Sequence, residues 1–173
     1  MKPLAAILLS ASALVARDTV RPLPKAPAGM PTGTYVLNNS PDLPRGIALA
    51  AEGVPFLLRG LAEKRLADLN PAYRRLRLSQ DGSSITVQFD GRQPMRMPLK
   101  GGTAWTREDG ETFWVSATAE PSRLVQTYKA RDGERTNEFI LAPDGKVLIL
   151  KVSVRSPRLS HVLNYSMVYT PVQ

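Results

Sequence analysis

Residues 72–100 read AYRRLRLSQDGSSITVQFDGRQPMRMPLK, and this stretch decides the fold. Asp81-Gly82 and Asp90-Gly91 punctuate it, and Ile85, Val87 and Phe89 alternate with Ser84, Thr86 and Gln88. Period-two alternation between turn dipeptides is the signature of a half-buried strand in a hairpin. The same punctuation continues at Lys100-Gly101-Gly102, Asp109-Gly110, Glu120-Pro121, Asp132-Gly133, Asp144-Gly145 and Ser156-Pro157, in steps of 8 to 12 residues. Glycine suits such turns because it reaches positive φ without steric cost. Strands at this spacing predict an all-β barrel or sandwich. Nine strands are expected, at 72–80, 83–89, 92–99, 103–108, 111–119, 122–130, 134–142, 146–155 and 161–170.

Alternation also shows at Met95, Met97 and Leu99, at Phe113, Val115 and Ala117, and at Leu163, Tyr165, Met167 and Tyr169. Residues 147–150, Val-Leu-Ile-Leu, are apolar on both faces, so something should cover the outer one; the helices described next are one candidate.

Upstream, Gly33–Asn38 reads as a short strand. Ser40-Pro41-Asp42 then looks like a helix start, with Ser40 as N-cap and Pro41 in the first turn. Leu43, Ile47, Ala50, Val54, Leu57 and Leu61 follow at steps of 3 and 4, one helical face. Gly53 and Pro55 break the run into two short helices, about 42–52 and 54–68, ended by Asn70-Pro71. Arg45, Arg59, Glu63, Lys64 and Arg65 occupy the opposite face, for water or an anionic membrane surface.

Residues 1–16, MKPLAAILLSASALVA, have the pattern of a secretory signal peptide: a basic start, a short apolar run, and small residues for cleavage after Ala13 or Ala16. Residues 17–32 are a Pro-rich lead-in, leaving 33–173 as a single β-barrel domain. A periplasmic or secreted protein is expected. With 173 residues the chain is one domain's length.

Lys and Arg number 23 against 15 Asp and Glu, a formal net charge of +8. That balance favours anionic partners, although solvated arginines also keep an exported protein in solution. Absence of Cys excludes disulfides, thiolate catalysis and a lipid-modified N-terminal Cys. His161 is the sole histidine, with no nucleophile elbow around it, so no catalytic residues are expected. One His and scattered carboxylates predict neither a metal site nor a cofactor. The basic run Tyr73-Arg74-Arg75-Leu76-Arg77 has too few interleaved aromatics for a nucleic-acid surface.

The barrel interior remains. Gln126, Tyr128, Tyr165, Met167 and Tyr169 share the inward phase with Leu124 and Leu163, and Arg74 shares one with Leu76 and Leu78. An apolar lining with a few polar tips describes a ligand pocket, and these six residues are the candidate ligand-binding set. A packed interior, with the tyrosines bonded to backbone, is the alternative.

One strand, a helix-turn-helix and nine antiparallel strands resemble the fatty-acid-binding-protein layout of the calycin group. Gly33-Thr34-Tyr35 is similar to the Gly-x-Trp opening of lipocalin-like chains, with Tyr35 in place of Trp. The resemblance covers roughly 33–170 and rests on element order. It implies an antiparallel up-and-down barrel of about ten strands, all-β with a small helical insertion, the helix pair acting as a lid after the first strand. It further implies a carrier of a hydrophobic small molecule or lipid; a monomer is expected. The Arg-x-Tyr pair that such proteins carry in the last strand is missing: Asn164-Tyr165 and Met167-Val168-Tyr169 offer Tyr without that Arg. The rival reading is a non-catalytic envelope protein using its basic surface on anionic lipid or lipopolysaccharide.

Overall fold

The computed structural model describes residues 29–107 and 109–172. The expected signal peptide and most of the Pro-rich lead-in lie outside the described residues.

The elements run β1 (Gly33–Asn39), α1 (Leu43–Ala50), α2 (Phe56–Leu69), β2 (Arg75–Asp81), β3 (Ser84–Phe89), β4 (Met95–Pro98), β5 (Gly102–Thr106), β6 (Thr112–Glu120), β7 (Arg123–Ala130), β8 (Gly133–Leu141), β9 (Leu148–Arg155) and β10 (Leu163–Pro171). All ten strands form one antiparallel sheet in the order β4-β3-β2-β1-β10-β9-β8-β7-β6-β5. Sequential neighbours pair except β4 and β5, and β1 meets β10 to join the two halves. The sheet curls into a nearly closed barrel, with the unladdered gap between β4 and β5. This is the barrel with a helix-turn-helix after the first strand that the turn spacing and element order predict.

The alternation fixes the interior. Leu76 and Leu78 of β2 face Phe89 and Val87 of β3, and Ile85 and Val87 face Met97 and Met95 of β4. Leu124 lies opposite Phe139, Phe139 opposite Leu150, and Leu150 opposite Met167. All are buried, and each such side chain contributes about 1.5–3 kcal/mol on leaving water.

Local details differ from the sequence reading. Asp81 pairs with Ser84 as the last rung of its hairpin, so the tight turn is Gly82-Ser83 rather than Asp81-Gly82. Gly82, Gly91 and Gly145 have positive φ, while Asp81, Asp90 and Asp144 do not. Gly133 has no positive φ; it is small because a Cβ there would press on the Arg155 carbonyl of β9.

Helix α1 is capped at Asp42, with Pro44 in its first turn, not at Ser40 with Pro41. The Ser40 hydroxyl donates instead to the Ser166 carbonyl (3.0 Å), and the Ser166 hydroxyl donates to the Asp42 carboxylate (2.6 Å). These bonds pin the helix start to β10. Ile47 and Ala50 are buried as the periodicity predicts, but Leu57 is 91 % and Leu61 69 % exposed on α2. The break at Gly53–Pro55 re-aims the second helix, so its apolar phase no longer continues that of the first. On the outer face of β9, half-buried Ile149 stands beside Ile140 of β8 and Val168 of β10. The helices sit elsewhere, α1 against β10.

Gly46 makes that contact, and a Cβ there would run into the Asn164 carbonyl oxygen. Gly60, inside α2, has open space around it. Gly60→Ala is expected to stabilise by up to about 1 kcal/mol through helix propensity. Gly46→Ala is expected to destabilise by roughly 1–3 kcal/mol through overpacking. Urea unfolding midpoints of the two variants check the opposite signs.

Candidate functional site

Strands β7 and β8 place four inward side chains on two rungs: Gln126 opposite Asn137, and Tyr128 opposite Arg135. Around them the barrel keeps a cavity of about 280 Å³. Arg135 stands in its wall, half-buried. Its Nε donates to Asn137 Oδ1 (2.9 Å), Nη1 to Asn70 Oδ1 (2.9 Å) and Nη2 to the Tyr165 hydroxyl (3.2 Å). All three acceptors are neutral, and among the described residues Arg135 forms no ion pair with a carboxylate. A cation partly withdrawn from water and answered only by neutral dipoles is a ready partner for an anion.

The hydrogen bonds continue inward. Asn137 Nδ2 donates to Gln126 Oε1 (3.0 Å), and Gln126 Nε2 donates to the sulfurs of Met95 and Met97 (3.4 Å each). Gln126 and Asn137 are both fully buried, and this chain satisfies their amides. It also closes the floor of the cavity. Beneath it Leu124, Phe139, Leu150 and Met167 leave no accessible surface.

The walls are aromatic. Tyr73 stacks on Phe89 with centroids 4.5 Å apart. Trp105, Phe113 and Tyr128 form a tilted and edge-on trio at 6.0–6.3 Å. At the rim the Arg107 guanidinium lies 5.2 Å over the Phe113 ring and grips Asp109 and Glu111, both at 2.6 Å. The hydrogen bonds from Arg107, with help from the Glu111 backbone N–H, hold the Asp109 carboxyl down at about 2. Arg107 is therefore paired with carboxylates, whereas Arg135 among the described residues is not. The second helix reaches the site at its end, where Leu69 lines the cavity and the Asn70 side chain binds Arg135. Between α2 and the turns of the barrel a vestibule of about 590 Å³ opens, lined by apolar residues such as Val54, Leu66 and Leu159 as well as charged ones, and sharing Leu69, Arg107, Tyr128 and Arg135 with the cavity.

The sequence-expected ligand residues divide. Tyr128 lines the cavity, Gln126 stands behind its lining, bonded to Asn137 and Met95, and Tyr165 holds Arg135. Met167 and Tyr169 belong to the packed interior, and the Tyr169 hydroxyl donates to the Tyr73 carbonyl (3.0 Å). Arg74 does not point inward: it precedes β2, is exposed, and its carbonyl accepts from the Leu37 N–H (2.8 Å). The β2 phase begins one residue later, so it does not constrain Arg74. Sequence reasoning missed Arg135, Asn137, Asn70 and Trp105. The first two had a signal, since stepping back by two from Phe139 reaches Asn137 and then Arg135. His161 is exposed on the β9–β10 connection, its Nε2 3.5 Å from Glu52 and away from the cavity.

Burial pushes the phenols of Tyr35, Tyr128, Tyr165 and Tyr169 above their ordinary range, with Arg135 partly opposing this at Tyr165. Neutral phenols therefore favour the folded state. Their contribution is whole below the unfolded value near pH 10 and fades as pH climbs from there towards the folded values. An ultraviolet titration is expected to show these four un-ionised in the native protein at a pH where free tyrosine is largely ionised. In urea they should titrate with free tyrosine.

No protein-family model matches the sequence, and neither does any curated protein. Solved structures do resemble the fold. A fatty-acid-binding protein from Manduca sexta aligns with TM-score 0.55 at 14 % identity, over 80 % of this chain and 97 % of that one. The fatty acid transporter REP1-NXSQ aligns with TM-score 0.53 at 14 % identity, over 82 % and 96 %. A fatty-acid-binding protein from brain tissue of Drosophila melanogaster gives 0.51 at 14 %, over 79 % and 95 %. At such identity the likeness establishes a fatty-acid-binding-protein-like barrel, as the element order implies, and nothing finer.

Proposed function

We propose that this chain is a carrier that takes an apolar small molecule or lipid bearing an acidic group into its barrel, without chemically changing it. The single observation behind this reading is Arg135, a guanidinium in the wall of an aromatic cavity with three neutral acceptors and no carboxylate among the described residues. The apolar walls would supply affinity by removing the ligand's body from water, and Arg135 would meet its acid. The names of the similar barrels, fatty acid transporter and fatty-acid-binding protein, support a ligand of that kind. A charge-assisted hydrogen bond of this type is worth about 1.5–3 kcal/mol. Arg135→Gln is therefore expected to weaken an anionic amphiphile roughly 10- to 100-fold while a neutral analogue of the same body loses little. Calorimetric titration of delipidated protein checks this; failure of every apolar ligand class to bind would remove the carrier reading.

A second reading, contact with an anionic bilayer, draws on α2, whose Phe56 is 82 % exposed beside Leu57 and Leu61, with Arg65 on the same helix. Such surface attachment would weaken with ionic strength, whereas binding inside the barrel would hardly change.

We further propose a periplasmic or secreted location and a monomeric working form. The leader-like residues 1–16 support the location. Intact mass of the natural product is expected to correspond to cleavage after Ala13 or Ala16. A chain retaining Met1 or Lys2 would count against export.

A further inference from the structure

We propose that the cavity selects a compact anion built on flat rings over a long unbranched acyl chain. This deepens the carrier reading and rests on it. Three features of the cavity point the same way.

The first is depth. At about 280 Å³ the space lies at the lower edge of small-molecule sites, which run from about 300 to 1,000 Å³. It is shallow because its floor is bonded shut. To push deeper, a chain would have to part Asn137 from Gln126 and leave the Asn137 Nδ2 donor and the Gln126 Oε1 acceptor buried without each other. Under that floor Leu124, Phe139, Leu150 and Met167 are already packed.

The second is the wall. Five of its fifteen lining residues are aromatic, and only Leu69, Val87 and Met95 are aliphatic or thioether side chains. The Tyr73–Phe89 stack comes from the β2–β3 side, and the Trp105, Phe113 and Tyr128 trio from β5 to β7. Rings meet such walls in offset or edge-on contacts that saturated chains cannot make. A rigid ring system also loses less freedom on binding than a chain with many rotatable bonds.

The third is the charge, because the cavity wall carries a guanidinium with no carboxylate partner among the described residues. The acid has its place at the cavity wall, on Arg135, where the bonds to Asn70 and Tyr165 can be exchanged for bonds to the ligand.

The test uses the delipidated full chain and a built-in reporter. Of the two tryptophans, Trp105 lines the cavity and Trp114 is exposed. In a Trp114→Phe background, Trp105 fluorescence reports occupancy. Anilinonaphthalene sulfonate, decanoate, hexadecanoate and neutral N-phenylnaphthylamine are titrated in turn, with calorimetry in parallel. The ring sulfonate is expected to bind at least tenfold more tightly than hexadecanoate, and hexadecanoate to gain less than threefold over decanoate. Trp105→Ala with Phe113→Leu, read by calorimetry, should cost the ring anion tenfold or more and decanoate less than threefold. Hexadecanoate binding as tightly as the ring anion, or much more tightly than decanoate, overturns the selectivity and leaves the carrier reading standing. Equal affinity for the neutral ring compound overturns the anion requirement. Absence of binding by all four overturns both. The chain-length comparison needs no substitution in the cavity, so it decides the matter even if the double variant fails to fold.

Discussion

Every second residue of the ten strands points towards one interior space, and those side chains do most of the filling, with Leu69 and Tyr73 joining them at the cavity. The sheet runs from β4 to β5 with the other sequential neighbours paired and β1 joined to β10, so the curl has a single inside. Strand twist and closure set its width. At one end Leu76, Leu124, Phe139, Leu148, Leu150 and Met167 fill it without leaving accessible surface. At the other, bulky aromatics stand at the wall and a charged group stands among them, and the packing stops short of the middle.

The boundary between the two ends is polar, which is unusual for the centre of a barrel. Gln126 and Asn137 are tolerated there because each donates and accepts within one directional chain, from Arg135 to the two methionine sulfurs. Thioethers are weak acceptors but polarizable, and they suit an amide proton that water cannot reach. The same chain orients Arg135 from below while Asn70 and Tyr165 hold it from the sides. Fold and site are thus one network: the floor that makes the interior solid is also the support that aims the guanidinium.

The helices are attached unevenly. The first is tied to β10 through Ser40, Asp42, Ser166 and the close approach at Gly46. The second has no fully buried residue, and Asn70 just past its end anchors it to the cavity. Elements with few buried contacts open at low cost. The end of α2 is held through Asn70 on Arg135, a residue of the cavity wall.

By itself the sequence determined the strands, their turns, the inward residues of β3, β4, β6 and β10, and the break between the helices. Those follow from local rules: a period of two, glycine's access to positive φ, and proline's disruption of helices. Phase carried further than it was taken at Arg135 and Asn137, which Phe139 marks as inward. Only the tertiary structure decided that Arg74 faces out, that Leu57 and Leu61 are bare, and that half the interior is solid. Each depends on where a strand begins, how a helix is re-aimed, or whether side chains from opposite walls meet. The guanidinium's neighbours show the reason most plainly. Asn70, Asn137 and Tyr165 come from the end of α2, from β8 and from β10, and no pattern along the chain records a distance that exists only after the sheet has closed.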